Sequence, residues 1–205
     1  MTPRSILILH GWQGNGPDHW QTWLADRLRA AEQDVLYPRL PDCDHPCPDR
    51  WGAALHAQLD AMAGAERVVI CHSLACVLWL REAPRVPRRL RADRCLLVAP
   101  PCPSAGIDEL ARFYPTGADR EGIVGAAVRT RLVCSDNDPY CDEGAAQAWG
   151  APLALEVDLL MGAGHLNTDA GFGPWPEVED WALGRRDSLA TSGLVQSGAK
   201  NGVDT

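Results

Sequence analysis

Ser73 sits where a short apolar run passes into a helix-like one, in Arg67-Val-Val-Ile-Cys-His-Ser-Leu-Ala-Cys-Val-Leu-Trp. A strand that turns sharply into a helix lifts the turn residue to the carboxyl edge of a sheet, and a serine there becomes a nucleophile once a base takes its proton. The helix N-terminus behind it favours developing negative charge. Turns of this kind carry small residues, usually glycine, two places before and after the serine; here Cys71 and Ala75 stand there. The plainer reading is that Ser73 caps a helix, so nucleophilic chemistry needs partners from other strand ends. Met161-Gly-Ala-Gly-His-Leu-Asn-Thr, after the last weak apolar run, offers His165 as base. Thr130-Arg-Leu-Val-Cys-Ser-Asp-Asn-Asp-Pro-Tyr offers two carboxylates. Pro139 pushes Asp138 toward an extended strand exit, whereas Asp136 suits a turn; Asp138 is the expected acid. His10 and His72 are placed to shape loops, and His19 falls in the first turn of a helix. His45 and His56 lack any comparable context.

Acyl transfer through a serine also needs two fixed N–H donors for the oxyanion. The backbone amide of Leu74 is one. The other comes from His10-Gly-Trp-Gln-Gly-Asn-Gly after the first apolar run, with Trp12 expected and Gln13 the alternative. No GxGxxG or Lys-Ser/Thr signature follows to make this a phosphate loop. The Trp12 side chain, with Phe113 and Tyr114, is expected to bind substrate as the cleft wall, with core residues of a short helix an equal alternative for Phe113 and Tyr114; Trp20 and Trp23 are expected in the core.

The elements that must position these groups are legible as apolar runs at Ser5–His10, Asp34–Tyr37, Arg67–Cys71, Arg94–Ala99, Thr130–Cys134 and, more weakly, Ala154–Leu160. Near-continuous runs such as VVIC and CLLVA suit strands buried on both faces. Helical patterns lie between them at Pro17–Ala31, Trp51–Met62, Leu74–Arg81, Asp142–Trp149 and Trp175–Leu183. Asp49 is a plausible N-cap for the second, and Pro176 sits in a first turn. The alternation implies an α/β fold, doubly wound, with a mostly parallel sheet of about six strands. Pro100–Arg129 is the least regular stretch.

Together these residues resemble the small serine hydrolases of the retinoblastoma-binding protein 9 / YdeN family, within the α/β-hydrolases. The resemblance rests on HGWQGNGPDHWQ (His10–Gln21), CHSLAC (Cys71–Cys76), SDNDPYC (Ser135–Cys141) and GAGHLNTDAGFGPWP (Gly162–Pro176). The chain order Ser, Asp, His is also theirs. It implies Ser73, Asp138 and His165 as a triad, on a compact α/β-hydrolase fold without a large lid. It implies esterase-like hydrolysis and does not identify a substrate; triad chemistry requires no cofactor. The same triad serves amidases and peptidases, and the rival reading is a non-catalytic protein-binding scaffold with a hydrolase fold.

With 205 residues, one domain over 1–184 is expected, and the polar, Gly/Ser-rich residues 185–205 read as a disordered tail. A net charge of −8 disfavours nucleic acid as a partner. The run Ile6–Leu9 is too short for a signal peptide and nothing is long enough to span a membrane, so a cytoplasmic location with 8 reduced cysteines is expected. CDHPC (Cys43–Cys47) lacks a second cluster and reads as no metal site. The expected partner is a small-molecule ester.

Overall fold

The computed structural model describes residues 4–117, 119–141 and 144–190. Six strands form one sheet: β1 (Arg4–Leu9), β2 (Asp34–Leu36), β3 (Glu66–His72), β4 (Ala92–Val98), β5 (Ala127–Ser135) and β6 (Glu156–Leu160). Their order is β2-β1-β3-β4-β5-β6, and every pair is parallel. Helices α1 (Trp20–Ala30), α2 (Pro48–Ala61), α3 (Leu74–Glu82), α4 (Arg120–Ala126), α5 (Ala151–Leu153) and α6 (Pro176–Ala182) cover it.

Alternate strand residues face opposite layers. Ile6, Ile8, Val68, Ile70, Leu96 and Val98 pack with Trp20, Leu24 and Leu28 of α1 and Val178 and Trp181 of α6. Leu7, Leu9, Val69, Cys71, Cys95 and Leu97 pack with Trp51 and Leu55 of α2 and Val77 and Leu78 of α3. Burial on both faces explains the unbroken apolar runs of the central strands. From β1 the chain first adds β2 on one side and then β3 on the other. The crevice above the carboxyl ends of β1 and β3 is therefore the topological switch point, where open α/β sheets bind ligands.

Several boundaries differ from expectation. Helix α2 begins at Pro48 with Cys47 as its cap, not Asp49, because proline at the first position has the helical φ and no N–H to satisfy. The irregular stretch contains α4 and two 3₁₀ turns, Pro103–Ala105 and Asp108–Phe113, and no large lid. The tail is corrected in part. Leu189 is buried in the α1/α6 layer. Its N–H and the Ser188 hydroxyl donate to Asp158, at 2.6 and 2.7 Å. Arg185–Ala190 thus dock on the body; residues 191–205 lie outside the described residues.

The expectation of eight free thiols is also corrected. Cys102 and Cys141 form a disulfide with a Cα–Cα distance of 4.7 Å. They follow the adjacent strands β4 and β5, and the Cys102 N–H donates to Tyr140 O at 2.9 Å. The other six cysteines are free. Among the described residues, no helix is long and apolar enough to cross a membrane.

Candidate active site

Ser73 stands between β3 and α3 with φ 55° and ψ −125°, a region that costs a non-glycine residue about 1–3 kcal/mol. The surroundings over-determine it. The Ser73 N–H donates to Val98 O and the Cys76 N–H to Ser73 O, both at 2.9 Å. Cys71 and Ala75 are wholly buried, so larger side chains at these two places would have no room. The loop after β1 approaches so closely that a Cβ on Gly11 would lie 2.7 Å from Ser73 Cβ; only glycine fits there.

His165 Nε2 lies 2.9 Å from Ser73 Oγ. Its Nδ1 lies 3.0 and 2.9 Å from the two carboxylate oxygens of Asp138. A buried carboxylate accepts, so Nδ1 carries the hydrogen and Nε2 is free to accept from the serine. The Tyr140 N–H also donates to Asp138 Oδ1, at 2.9 Å, and the Tyr140 ring meets His165 edge-on at 4.5 Å.

The turn after β5 grips the loop after β6 residue by residue. Ser135 Oγ accepts the Ala163 N–H at 2.9 Å. Asp136 Oδ1 accepts the Gly162 N–H at 2.6 Å, and Asn137 Oδ1 the Gly164 N–H at 2.7 Å. Asp136 is thereby a loop clasp, away from the imidazole.

His10 shapes the loop after β1. Its Nδ1–H donates to Gly11 O at 2.7 Å and its Nε2 accepts the Leu40 N–H at 2.8 Å. Both nitrogens are used in the neutral form, and burial lowers its pKa. The Gln13 amide is taken by Cys43 O at 2.9 Å. The Trp12 indole donates to Asp44 O at 3.0 Å and so fixes the side chain.

A cleft of about 280 Å³ opens over Ser73 and His165, with Trp12, Ile107, Leu110, Tyr140 and Asn167 among its walls. Phe113 and Tyr114 are not among its walls and take the other expected place, against the core. Phe113 is wholly buried, edge-on to Trp51 at 5.3 Å. Tyr114 stacks on Trp149, and its hydroxyl donates to Cys102 O at 2.9 Å. The 3₁₀ turn has a period of three, so Leu110 and Phe113 lie on one inward side and Phe113 is carried past the cleft into the core. Ile107, Leu110 and Tyr140 were missed from sequence. An aromatic residue two places after the presumptive acid was the available signal for Tyr140; the other two had none beyond being apolar in an irregular stretch. Among the described residues, no group of three or more His, Cys, Asp or Glu could hold a metal ion.

Residues 6–182 match the family described as serine hydrolase. The YdeN protein of Bacillus subtilis (strain 168) is 23% identical over 184 residues, 86% of this chain and 93% of that protein. The crystal structure of the B. subtilis ydeN product has a TM-score of 0.76 at 21% identity, covering 89% of this chain and 98% of that one. A YdeN-like protein from Pectobacterium atrosepticum has a TM-score of 0.69 at 22% identity, covering 88% and 91%. A thioesterase domain from the curacin biosynthetic pathway has a TM-score of 0.61 at 17% identity, covering 89% and 91%, a likeness of fold. With the match spanning the sheet from β1 to α6, the chain belongs to the YdeN-type serine hydrolase family of the α/β-hydrolase superfamily.

Proposed function

We propose that this chain cleaves small carboxylic esters through an acyl-enzyme on Ser73. The observation that carries the reading is the contact series Ser73 Oγ to His165 Nε2 at 2.9 Å and His165 Nδ1 to Asp138 at 2.9 Å, at the foot of a cleft. A protein that only bound partners would have no need of a serine held at positive φ beneath a base oriented by a buried carboxylate.

In the first half-reaction His165 Nε2 takes the Ser73 proton as Oγ attacks the ester carbonyl. Asp138 keeps the hydrogen on Nδ1 and stabilises the imidazolium. The oxyanion is held by the Leu74 and Trp12 backbone amides. His165 then gives its proton to the departing alkoxide. Water, deprotonated by the same nitrogen, attacks the acyl-enzyme, and Ser73 recovers its proton as the acid leaves. The balance needs only ester and water.

Incubation with a fluorophosphonate probe tests the reading. Labelling of the wild-type protein that disappears in Ser73→Ala, with the fold retained by circular dichroism, is expected. Persistent labelling of Ser73→Ala, or an unlabelled wild-type protein, would sink it.

A further inference from the structure

The loop that carries His165 is strained at its next residue, Leu166, where φ is 52°. Two buried side chains hold that loop by successive carbonyls. Trp20 Nε1–H donates to Leu166 O at 2.8 Å, and His72 Nε2–H donates to His165 O at 3.1 Å. His72 immediately precedes Ser73, so one strand end supplies both the serine and a hook on the backbone of its base.

The hydrogen bonds dictate the tautomers. A carbonyl only accepts, so His72 Nε2 carries the hydrogen. Burial pushes the His72 pKa well down, which keeps the ring neutral and leaves Nδ1 a bare acceptor. That acceptor is buried and has no partner among the described residues. His19 presents the complement. Its Nδ1 accepts the Gln21 N–H at 3.2 Å at the start of α1. Burial pushes its pKa down to about 4, so the hydrogen is on Nε2, also buried and without a partner among the described residues. An unsatisfied buried polar atom costs about 1–3 kcal/mol. Here one orphan donor and one orphan acceptor sit on neighbouring rings whose centroids are 5.0 Å apart and whose planes are tilted by 55°, with no hydrogen bond between them.

We propose that His72, packed against the His19 ring, is a positioning residue for the reaction: its Nε2–H holds the His165 carbonyl. The contact fixes His165 along its line to Ser73. This rests on His165 being the base. The His72 ring does not touch the reacting atoms through this nitrogen; the effect passes through the His165 backbone. A base displaced by a fraction of an ångström loses rate without losing substrate affinity.

Long-range ¹H–¹⁵N spectra of the wild-type protein at neutral pH test the tautomer directly. The His72 ring is expected neutral with the hydrogen on Nε2; a charged ring, or a hydrogen on Nδ1, overturns the proposal. Kinetics on p-nitrophenyl butyrate test the role. His72→Phe keeps a ring in place and removes donor and acceptor, whereas His72→Gln keeps both at similar reach. Expected for His72→Phe is a fall in kcat of about tenfold or more, with KM changed by less than about twofold. His72→Gln should recover most of that loss. Equal losses in the two variants, or an unchanged kcat in His72→Phe, overturn the proposal. If His72→Phe does not fold, the wild-type spectrum decides. An unlabelled wild-type protein defeats the hydrolase reading itself, whereas a labelled wild-type protein with an unchanged kcat in His72→Phe defeats only this inference.

Discussion

Asp138 meets His165 Nδ1 with both carboxylate oxygens, at 3.0 and 2.9 Å, while Asp136 two residues earlier is committed to the Gly162 amide at 2.6 Å. Asp138→Asn would offer Nδ1 an amide donor as readily as an acceptor and admit the wrong imidazole tautomer. A loss in kcat of about 10³–10⁴-fold is expected on p-nitrophenyl acetate. Asp136→Asn keeps an oxygen for the Gly162 N–H and should cost less than about tenfold. The reverse ranking would show that the acid has been misassigned.

Substrate size follows from the cleft. About 280 Å³, walled by Ile107 and Leu110 together with polar groups such as Gln13 and Asn167, holds a short acyl chain. Each buried methylene contributes roughly 0.8 kcal/mol, and a chain extending into solvent gains none of it. The acetate and butyrate esters of p-nitrophenol should have higher kcat/KM than the decanoate, measured below the micelle concentration. A steady rise with chain length would contradict this.

The docked segment after α6 matters for stability. Leu189 is 2% exposed, and the Asp158 carboxylate accepts from Ser188, Leu189 and Arg131. Deleting 187–205 removes these contacts and leaves Asp158 with Arg131 as its remaining partner among the described residues. Leu189→Ala alone should cost about 2 kcal/mol, or roughly 4–8 °C in Tm for a domain of this size. Calorimetry of both variants checks it; an unchanged Tm in the deletion would show that the segment contributes nothing.

The Cys102–Cys141 bond closes a loop with a sequence separation of 39. It ties Pro101 in the cleft wall to the turn that carries Asp138 and Tyr140. Alkylation of the unreduced, denatured protein should modify six cysteines and, after reduction, eight. Reduction should lower stability by about 2–4 kcal/mol. Eight alkylated cysteines without reductant would show that the bond does not form in solution.

Mild acid should destabilise the protein. His19 has its pKa lowered from 6.5 to about 4 by burial, and those of His10 and His72 are lowered for the same reason. Between pH 6.5 and 4 the unfolded chain binds the proton at His19 and the folded chain does not, so stability falls as pH falls through that window. The slope for each neutral buried histidine is up to roughly 1.4 kcal/mol per pH unit. Urea midpoints at pH 7, 6 and 5 should decline, less steeply in His19→Gln. A flat profile would mean that these rings are protonated in the folded protein.

What the sequence determines by itself are the features with a local cause. Unbroken apolar runs such as VVIC suit strands buried on both faces, and helices between them supply the crossovers that parallel strands need. Ser73, Asp138 and His165 are legible because each stands at the exit of such a run, and parallel strands deliver all their exits to one edge. The proline after Asp138 separates it from Asp136 by backbone chemistry alone. Other features wait for the tertiary structure because their causes lie between distant residues. Cys102 meets Cys141 only because β4 and β5 are neighbours. Leu189 looks like a lone apolar residue in a polar tail until the chain after α6 runs beside Asp158 at the end of the sheet. Phe113 and Leu110 are equivalent as apolar residues of one turn; the position of that turn over α3 sends Phe113 into the core and leaves Leu110 at the cleft. The histidines at 19 and 72, far apart in sequence, become neighbours because α1 starts beside the carboxyl end of β3, where burial strips both rings of water and charge.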